Sequence, residues 1–500
     1  MRASPSTTQR RDSRPRSSWC GPSRASFLTG REPTEAKVYS LHDGGFRRTA
    51  GGDVQTWQTL PEFFQSRGYR SLTAGKVFHP DTDDDASERA WTKIMMPNVY
   101  QPMGYVLGNC LGKRADTSWV ALRDGATRLP SRLLRPFSCR SSAPLSKFDD
   151  FIMARAAAQE LDAIARARRE RRALAGNESS LATAPPQAAP FFMAVGFVRP
   201  HYPLLVHDSF WNLYGFDVSA MSDATYVDPP EPEDAMPPNF AIKPDALETG
   251  QIPPVYHGVA SRAFRRGTRL AYSAAFSQAD AALGVVLDAL ERTGLADATA
   301  VMLTSDNGFS LGDSSLWYKQ LLTDHSTRVP LLLSLPWRAP ARAVESDAHV
   351  ELLDVYRTLA DVAGLAPHLA RGVRGRSLLP LYLGEPATAP SRAPFEWAAS
   401  LAPRCGRDRE CRGDRVTQMG FSVRTRRWRY NVWLRQGNAS DGVSWSAPRS
   451  RAVGEELYDH GEPAEFEPVD EHFNLAREPA SDAVKDALFA KLKERFEGVS

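Results

Sequence analysis

Cysteine is scarce in this chain, with five in 500 residues. No Cys-x-x-Cys pair occurs, which argues against a structural zinc site. An excess of one charge is missing too: 62 Lys and Arg face 59 Asp and Glu, a net +3. No Lys/Arg-rich run is interleaved with aromatics, so nothing points to nucleic acid as a partner. No stretch reads as long and apolar enough to span a bilayer. Residues 1–19 carry Arg10, Arg11, Arg14 and Arg16 and lack the apolar centre of a secretory signal. They match neither a strand nor an amphipathic helix, so residues 1–18 are expected to be disordered or a wrongly started stretch. No internal repeat is visible. What remains is ordinary for a globular protein, long enough for one large α/β domain and a smaller one.

Periodicity orders the chain. Thr59-Leu-Pro-Glu62 reads as a capping box with proline in the first turn, and Gly68 ends that helix. Residues 69–74 read as a short strand running into Gly75-Lys76. Phe151, Ala154, Ala158, Leu161 and Ala165 mark a helix, and 173–190 a Gly/Ser/Ala/Pro-rich connector. The continuous apolar run 191–198 predicts a strand buried on both faces. Residues 222–256 read as a long surface loop. Tyr272, Phe276, Ala279, Leu283, Val286 and Leu290 form one apolar stripe closed by Gly294. Strands at 300–304 and 329–335 and a helix at 350–363 follow. This rhythm predicts an α/β fold, a mostly parallel sheet flanked by helices, over residues 19–385. Beyond that, 419–424 and 428–433 read as a hairpin, 456–459 as a strand and 483–496 as a helix. Residues 386–500 are therefore expected to form a smaller antiparallel α+β domain.

Three polar groups follow predicted strands: Lys76 with His79, Arg199 with His201, and Asp306 with Asn307. Open α/β sheets bind ligands beyond the carboxyl ends of their strands. Taken singly, each group has a plainer reading. Asp306-Asn307-Gly308 offers hard oxygen donors for Ca²⁺ or Mg²⁺, but is also a common turn. Lys76 and His79 suit a solvated loop, His201 between Pro200 and Pro203 a packed one, and Lys319 an exposed lysine. Their shared place in the fold is what counts. Two disulfides beside one distinct thiol would suit an oxidising compartment, with Cys405–Cys411 and Cys110–Cys139 as one pairing. Asn177 and Asn438 open glycosylation sequons.

Cys20-Gly-Pro-Ser-Arg24, continuing Ala-Ser-Phe-Leu-Thr-Gly30-Arg31, resembles the signature with which type I sulfatases make their nucleophile. In that family the cysteine is oxidised to formylglycine, an aldehyde held as its hydrate. A geminal diol expels sulfate by re-forming the aldehyde, whereas a serine sulfate would need a second attack at sulfur. Residues 68–80, ending Gly75-Lys76-Val-Phe-His79-Pro80, resemble the second sulfatase signature. The segments 304–312, 317–319 and 327–330 resemble the family's metal-and-lysine segment, and 191–201, 419–425 and 429–433 are similar to the iduronate-2-sulfatase subgroup.

The resemblance implies an alkaline-phosphatase-like fold and hydrolysis of a sulfate ester on a sugar, such as a uronate in a polysaccharide. Cys20, as formylglycine, would attack sulfur, and Arg24 would stabilise the hydrate. Asp306 and Asn307, with the modified Cys20, would hold a divalent cation, Ca²⁺. Lys76, Lys319 and His201 would clamp sulfate oxygens, with His201 or Lys319 protonating the leaving alkoxide. His79 would act as base when the aldehyde re-forms. Maturation would require a formylglycine-generating enzyme, and the location would be secretory, lysosomal or extracellular.

The chain departs from the pattern at two places. The family's first strand ends in paired aspartates that complete the metal site, whereas residues 1–19 hold a single acid, Asp12. Loss of that central strand would deprive its neighbours of backbone partners. An incomplete translation of a longer gene and a diverged relative both account for this, and weak or absent activity is expected. Ser314-Ser315 stands where the subgroup usually has His-Gly. A phosphonate or phosphodiester hydrolase of the same superfamily is one alternative. A non-catalytic binder of sulfated glycans through Arg24, Lys76, His201 and Lys319 is another.

Overall fold

A computed structural model describes residues 7–15, 17–39, 57–79, 89–97, 138–174, 189–201, 204–214, 262–311, 317–319, 321–338, 345–346, 348–384, 397–405, 416–435, 443, 445, 447–461, 471 and 473–497. The capping box forms as expected: the Thr59 backbone N–H donates to Glu62 Oε2 at 2.8 Å and starts the helix Leu60–Gln65. Gly68, at φ 82°, then turns the chain into the strand Arg70–Gly75. That strand pairs in parallel with Phe191–Gly196 on one side and Lys93–Met96 on the other. The register runs from Arg70 opposite Phe191 to Gly75 opposite Gly196, so Lys76 and Phe197 leave the sheet at the same edge.

A second sheet holds Val301–Thr304, Val329–Ser334 and Thr7–Arg14, each antiparallel to the next. Glu345–Ser346 and Val350–Glu351 pair in parallel with Thr7–Arg14. This corrects the expected disorder over residues 7–15. Backbone N–H and C=O groups pair whatever side chains they carry, so an arginine-rich segment can fill a sheet position that apolar periodicity would never assign. Its buried end is compensated, because Arg14 donates to Asp324 Oδ1 at 2.7 Å.

Among the described residues, Phe191–Gly196 and Val301–Thr304 each pair on one side only. Their side chains nevertheless share both apolar layers. Phe191, Met193, Val195 and Val301 lie under the helices Asp149–Leu174 and Arg262–Thr293. Phe192, Ala194 and Met302 face the opposite layer, built on Ala25, Leu28, Phe63, Phe64 and Tyr356. The two strands are therefore half-buried where full burial was expected. The single sheet that the sequence implies is divided here into two.

Helix Arg262–Thr293 holds a stretch, Gly267–Thr293, that reaches membrane-spanning length and hydropathy, although the sequence reading found none. Ala271, Ala274 and Ala275 pack on Leu204 and Val206, and Val286 and Leu290 on the first helix's cluster, so one face of this helix is packed into the core. The expected helix at 350–363 begins as the short strand Val350–Glu351 and is helical over Asp354–Val362.

The C-terminal part is a four-stranded antiparallel meander, Trp397–Cys405, Val416–Thr425, Trp428–Arg435 and Gly454–Asp459. Helix Asp482–Phe496 lays Leu488, Phe489, Leu492 and Phe496 on Phe421, Val432 and Trp445. A buried ion network joins this sheet to the α/β part. Arg429 donates to Asp324, to Glu471 and, at 2.7 Å, to the Leu322 carbonyl. His460 Nε2 lies 3.0 Å from Glu471, and Arg424 Nε 3.5 Å from Asp324. Burial alone would raise the Asp324 carboxyl, but Arg14, Arg429 and Arg424 hold it well below the carboxylate range. Both proposed cysteine pairings, the two sequons and the 222–256 loop fall outside the described residues or their described side chains.

Candidate active site

Cys20 opens the helix Cys20–Thr29, whose first hydrogen bond runs from Ser23 N–H to the Trp19 carbonyl. A negative charge developing at the Cys20 side chain therefore lies at the positive end of the helix dipole. Gly30, at φ 66°, closes the helix in a left-handed turn. Arg24 stands one turn after Cys20, on the same face. Its Nε donates to Asp306 Oδ2 at 2.8 Å, and its NH1 donates to the carbonyls of Lys76 and of Val77, the latter at 2.8 Å. Ser23 Oγ donates to the Asp306 carbonyl at 2.6 Å. One helical turn thus ties the ends of two strands from different sheets around the cysteine.

Three further groups meet the sulfur. Lys319 Nζ is 2.6 Å from Cys20 Sγ and Lys76 Nζ 3.7 Å, while Asn307 Oδ1 accepts from the thiol at 3.4 Å. Cys20, Lys76 and His79 are buried at 2–3 % exposure, so little water screens their charges. Two glycines allow the close approach. A Cβ on Gly196 would come within 1.9 Å of the Lys76 carbonyl oxygen, and one on Gly308 within 2.0 Å of the His325 oxygen.

The electrostatics follow from this crowding. Burial, aided by Arg24 and Lys319 and opposed by Cys20 and Asp306, brings the Lys76 ammonium down to about 8. Burial would raise the Asp306 carboxyl, but Arg24, Lys319 and Lys76 outweigh it and hold the group ionised far below its usual range. His79 is pushed down to about 2 by burial and then by Lys76, Arg24 and Lys319, so its imidazole is neutral at ordinary pH.

Of the residues singled out in the sequence, Cys20, Arg24, Lys76, Lys319, Asp306 and Asn307 are joined by direct contacts, and His79 lies within their field. His201 stands half-buried in the turn after Phe191–Gly196, its N–H donating to the Val198 carbonyl. That turn leaves the same edge of the sheet as Lys76. Sequence reasoning missed Ser23, which lies inside the motif but carries no distinguishing signal. It also missed Tyr272, which belongs to an apolar stripe and read as core, yet whose phenol is raised by burial and, in smaller part, by the Asp306 charge.

Asp306 and Asn307 suit a hard divalent cation in kind but fall short in number, since such an ion takes about six to eight oxygens and Arg24 already engages one carboxylate oxygen. Among the described residues, the one group of three acidic or histidine donors is Asp324, His460 and Glu471. Arg14, Arg424 and Arg429 compensate those carboxylates, so that cluster is an ion-pair network and would repel a cation.

The sequence profile described as Sulfatase matches residues 16–365. The iduronate 2-sulfatase of Mus musculus is 28 % identical over 464 residues, covering 83 % of this chain and 76 % of that protein. A phosphonate monoester hydrolase from Silicibacter pomeroyi superposes with a TM-score of 0.65 at 19 % identity, over 99 % of this chain and 89 % of the other. The protein BT4656, solved with its substrate D-glucosamine-2-N,6-O-disulfate, superposes with a TM-score of 0.62 at 15 % identity, over 99 % and 91 %.

Proposed function

The chain belongs to the sulfatase family, enzymes that hydrolyse sulfuric esters, and from that premise we propose that it removes sulfate from a saccharide through a formylglycine made from Cys20. One observation supports this above the others: Lys76, Lys319 and the Arg24–Asp306 pair, brought together from three regions of the chain, converge on one buried sulfur. A transferring sulfuryl group spreads negative charge over several oxygens, and fixed positive groups in a dry site stabilise that charge strongly.

In this reading a hydroxyl of the formylglycine hydrate attacks sulfur, and the ester S–O bond breaks. The leaving alkoxide takes a proton from Lys319 or His201, and the attacking hydroxyl's own proton replaces it on that residue, so the step is proton-neutral overall. Neutral His79 then removes the proton of the second hydroxyl, the aldehyde re-forms as the C–O bond to sulfate breaks, and water restores the hydrate. Lys76, Lys319 and Arg24 hold the sulfate oxygens throughout, with Ser23 fixing the Asp306 backbone. Sulfatases use a metal ion; Asp306 and Asn307 would be two of its ligands, and such an ion would polarise a sulfate oxygen. The saccharide class rests on the iduronate 2-sulfatase relative, as does a secretory, lysosomal or extracellular location.

The test is co-expression with a formylglycine-generating enzyme, mass spectrometry of the Cys20 peptide, and turnover of a 2-O-sulfated uronate disaccharide, 4-nitrophenyl sulfate and an aryl phosphodiester. Conversion of Cys20 with sulfate release, lost in Cys20→Ala, is expected. Complete conversion with no sulfate ester cleaved refutes the reading, and preferential cleavage of the phosphodiester replaces it with the hydrolase alternative.

A further inference from the structure

Tyr272 sits on helix Arg262–Thr293, in a stripe whose neighbours Ala271, Ala274 and Ala275 enter the core. Tyr272 itself is half-buried. Its ring stacks on Phe309, with centroids 5.7 Å apart and planes at 22°. Phe309 is also half-buried and follows Asp306 by three residues, on the short stretch leading to the strand Ser310–Leu311. Arg269, one turn before Tyr272, donates through Nε to the Leu311 carbonyl at 3.4 Å, so this helix face is held against the segment that carries Asp306 and Asn307.

The phenol is the unusual part. Among the described residues none hydrogen-bonds the Tyr272 hydroxyl. A tyrosine kept only for packing, with its ring stacked on Phe309, has no use for a hydroxyl. Burial, with Asp306 adding, raises the phenol to about 12, so it keeps its proton and is available as a donor. Aromatic side chains that combine an apolar face with a polar tip suit a sugar ring, which offers C–H faces and a rim of hydroxyls.

Resting on the sulfatase reading, we propose that Tyr272 and Phe309 form a substrate subsite beside the nucleophile. The Tyr272 hydroxyl donates to an oxygen of the saccharide ring that carries the sulfate, and the aromatic pair packs against that ring. The subsite would favour saccharide sulfates over esters without a sugar.

The experiment compares wild type, Tyr272→Phe and Phe309→Leu as full-length, formylglycine-bearing protein. The readout is the ratio of kcat/KM for a 2-O-sulfated uronate disaccharide to that for 4-nitrophenyl sulfate. Loss of one hydrogen bond to the sugar should lower the ratio roughly five- to tenfold in Tyr272→Phe, through KM for the disaccharide. Phe309→Leu should lower it in the same sense. An unchanged ratio, or equal loss on both substrates, overturns the subsite. The same substitutions made in a Cys20→Ser background give disaccharide affinity by calorimetry. A weakening by the same factor supports the proposal; no binding by Cys20→Ser itself, or equal binding by all three proteins, overturns it. Because affinity needs no chemistry, an inactive wild type that still binds in a Tyr272-dependent way would refute the hydrolytic reading alone.

Discussion

Replacing Lys76 with methionine should make the protein more stable and its catalysis far worse. Lys76 is 2 % exposed, and burial brings its ammonium down to about 8 from an ordinary 10.5. At neutral pH the folded and unfolded chains both carry the proton, and the folded chain bears a cost of about 3 kcal/mol for it. Between pH 8 and 10.5 the unfolded chain binds more protons than the folded one, so this contribution makes stability rise with pH across that window and leaves it flat below. Methionine has a similar length and no charge to desolvate. Urea unfolding followed by tryptophan fluorescence at pH 7 should show Lys76→Met with a higher midpoint than wild type. The gap should narrow toward pH 10.5. Sulfate ester turnover should fall about a hundredfold or more, since a fixed positive group is removed from the transferring oxygens. A variant midpoint at or below wild type at pH 7, or a gap that does not change with pH, would refute the reasoning.

Four other outcomes follow from contacts already described. Gly196→Ala forces a Cβ to within 1.9 Å of the Lys76 carbonyl oxygen and should cost roughly 1–3 kcal/mol, read as a lower urea midpoint with reduced turnover. Asp306→Asn removes the counter-charge of Arg24 and should lower turnover about a hundredfold; activity within threefold of wild type would sink its role. Arg429→Met leaves Asp324 and Glu471 short of a buried partner and should destabilise by about 3–5 kcal/mol, and a loss under about 1 kcal/mol would contradict the network. His79 is held neutral with its proton affinity lowered to about 2, so the unfolded chain alone gains a proton as pH falls below about 6.5. Wild type should therefore lose about 1.4 kcal/mol more per pH unit than His79→Gln over that range, and parallel curves would contradict it.

Local signals carried far in this sequence. The capping box at Thr59, the strand into Lys76, the long stripe ending at Gly294 and the 419–433 hairpin are all set by neighbours within a few residues. The convergence on Cys20 was legible only through its motif, since nothing in Lys319 or Asn307 by itself separates a ligand from a loop residue. Two features were hidden for physical reasons. The strand Thr7–Arg14 gains its place from open backbone groups on Val329–Ser334, and its own side chains give no sign of it. The half-burial of 191–196 comes from the divided ladder, whereas an apolar run reports only what a segment could bury.

Arg14, Asp324 and Arg429 touch although 310 and 105 positions separate them along the chain. During synthesis, the carboxylate of Asp324 emerges from the ribosome long before the guanidinium that shares it. The larger layer must wait with a charge half-answered until the last quarter of the polypeptide arrives. The small meander thus works as a buckle for the whole, and trimming it away should yield an insoluble fragment, not a compact minimal hydrolase.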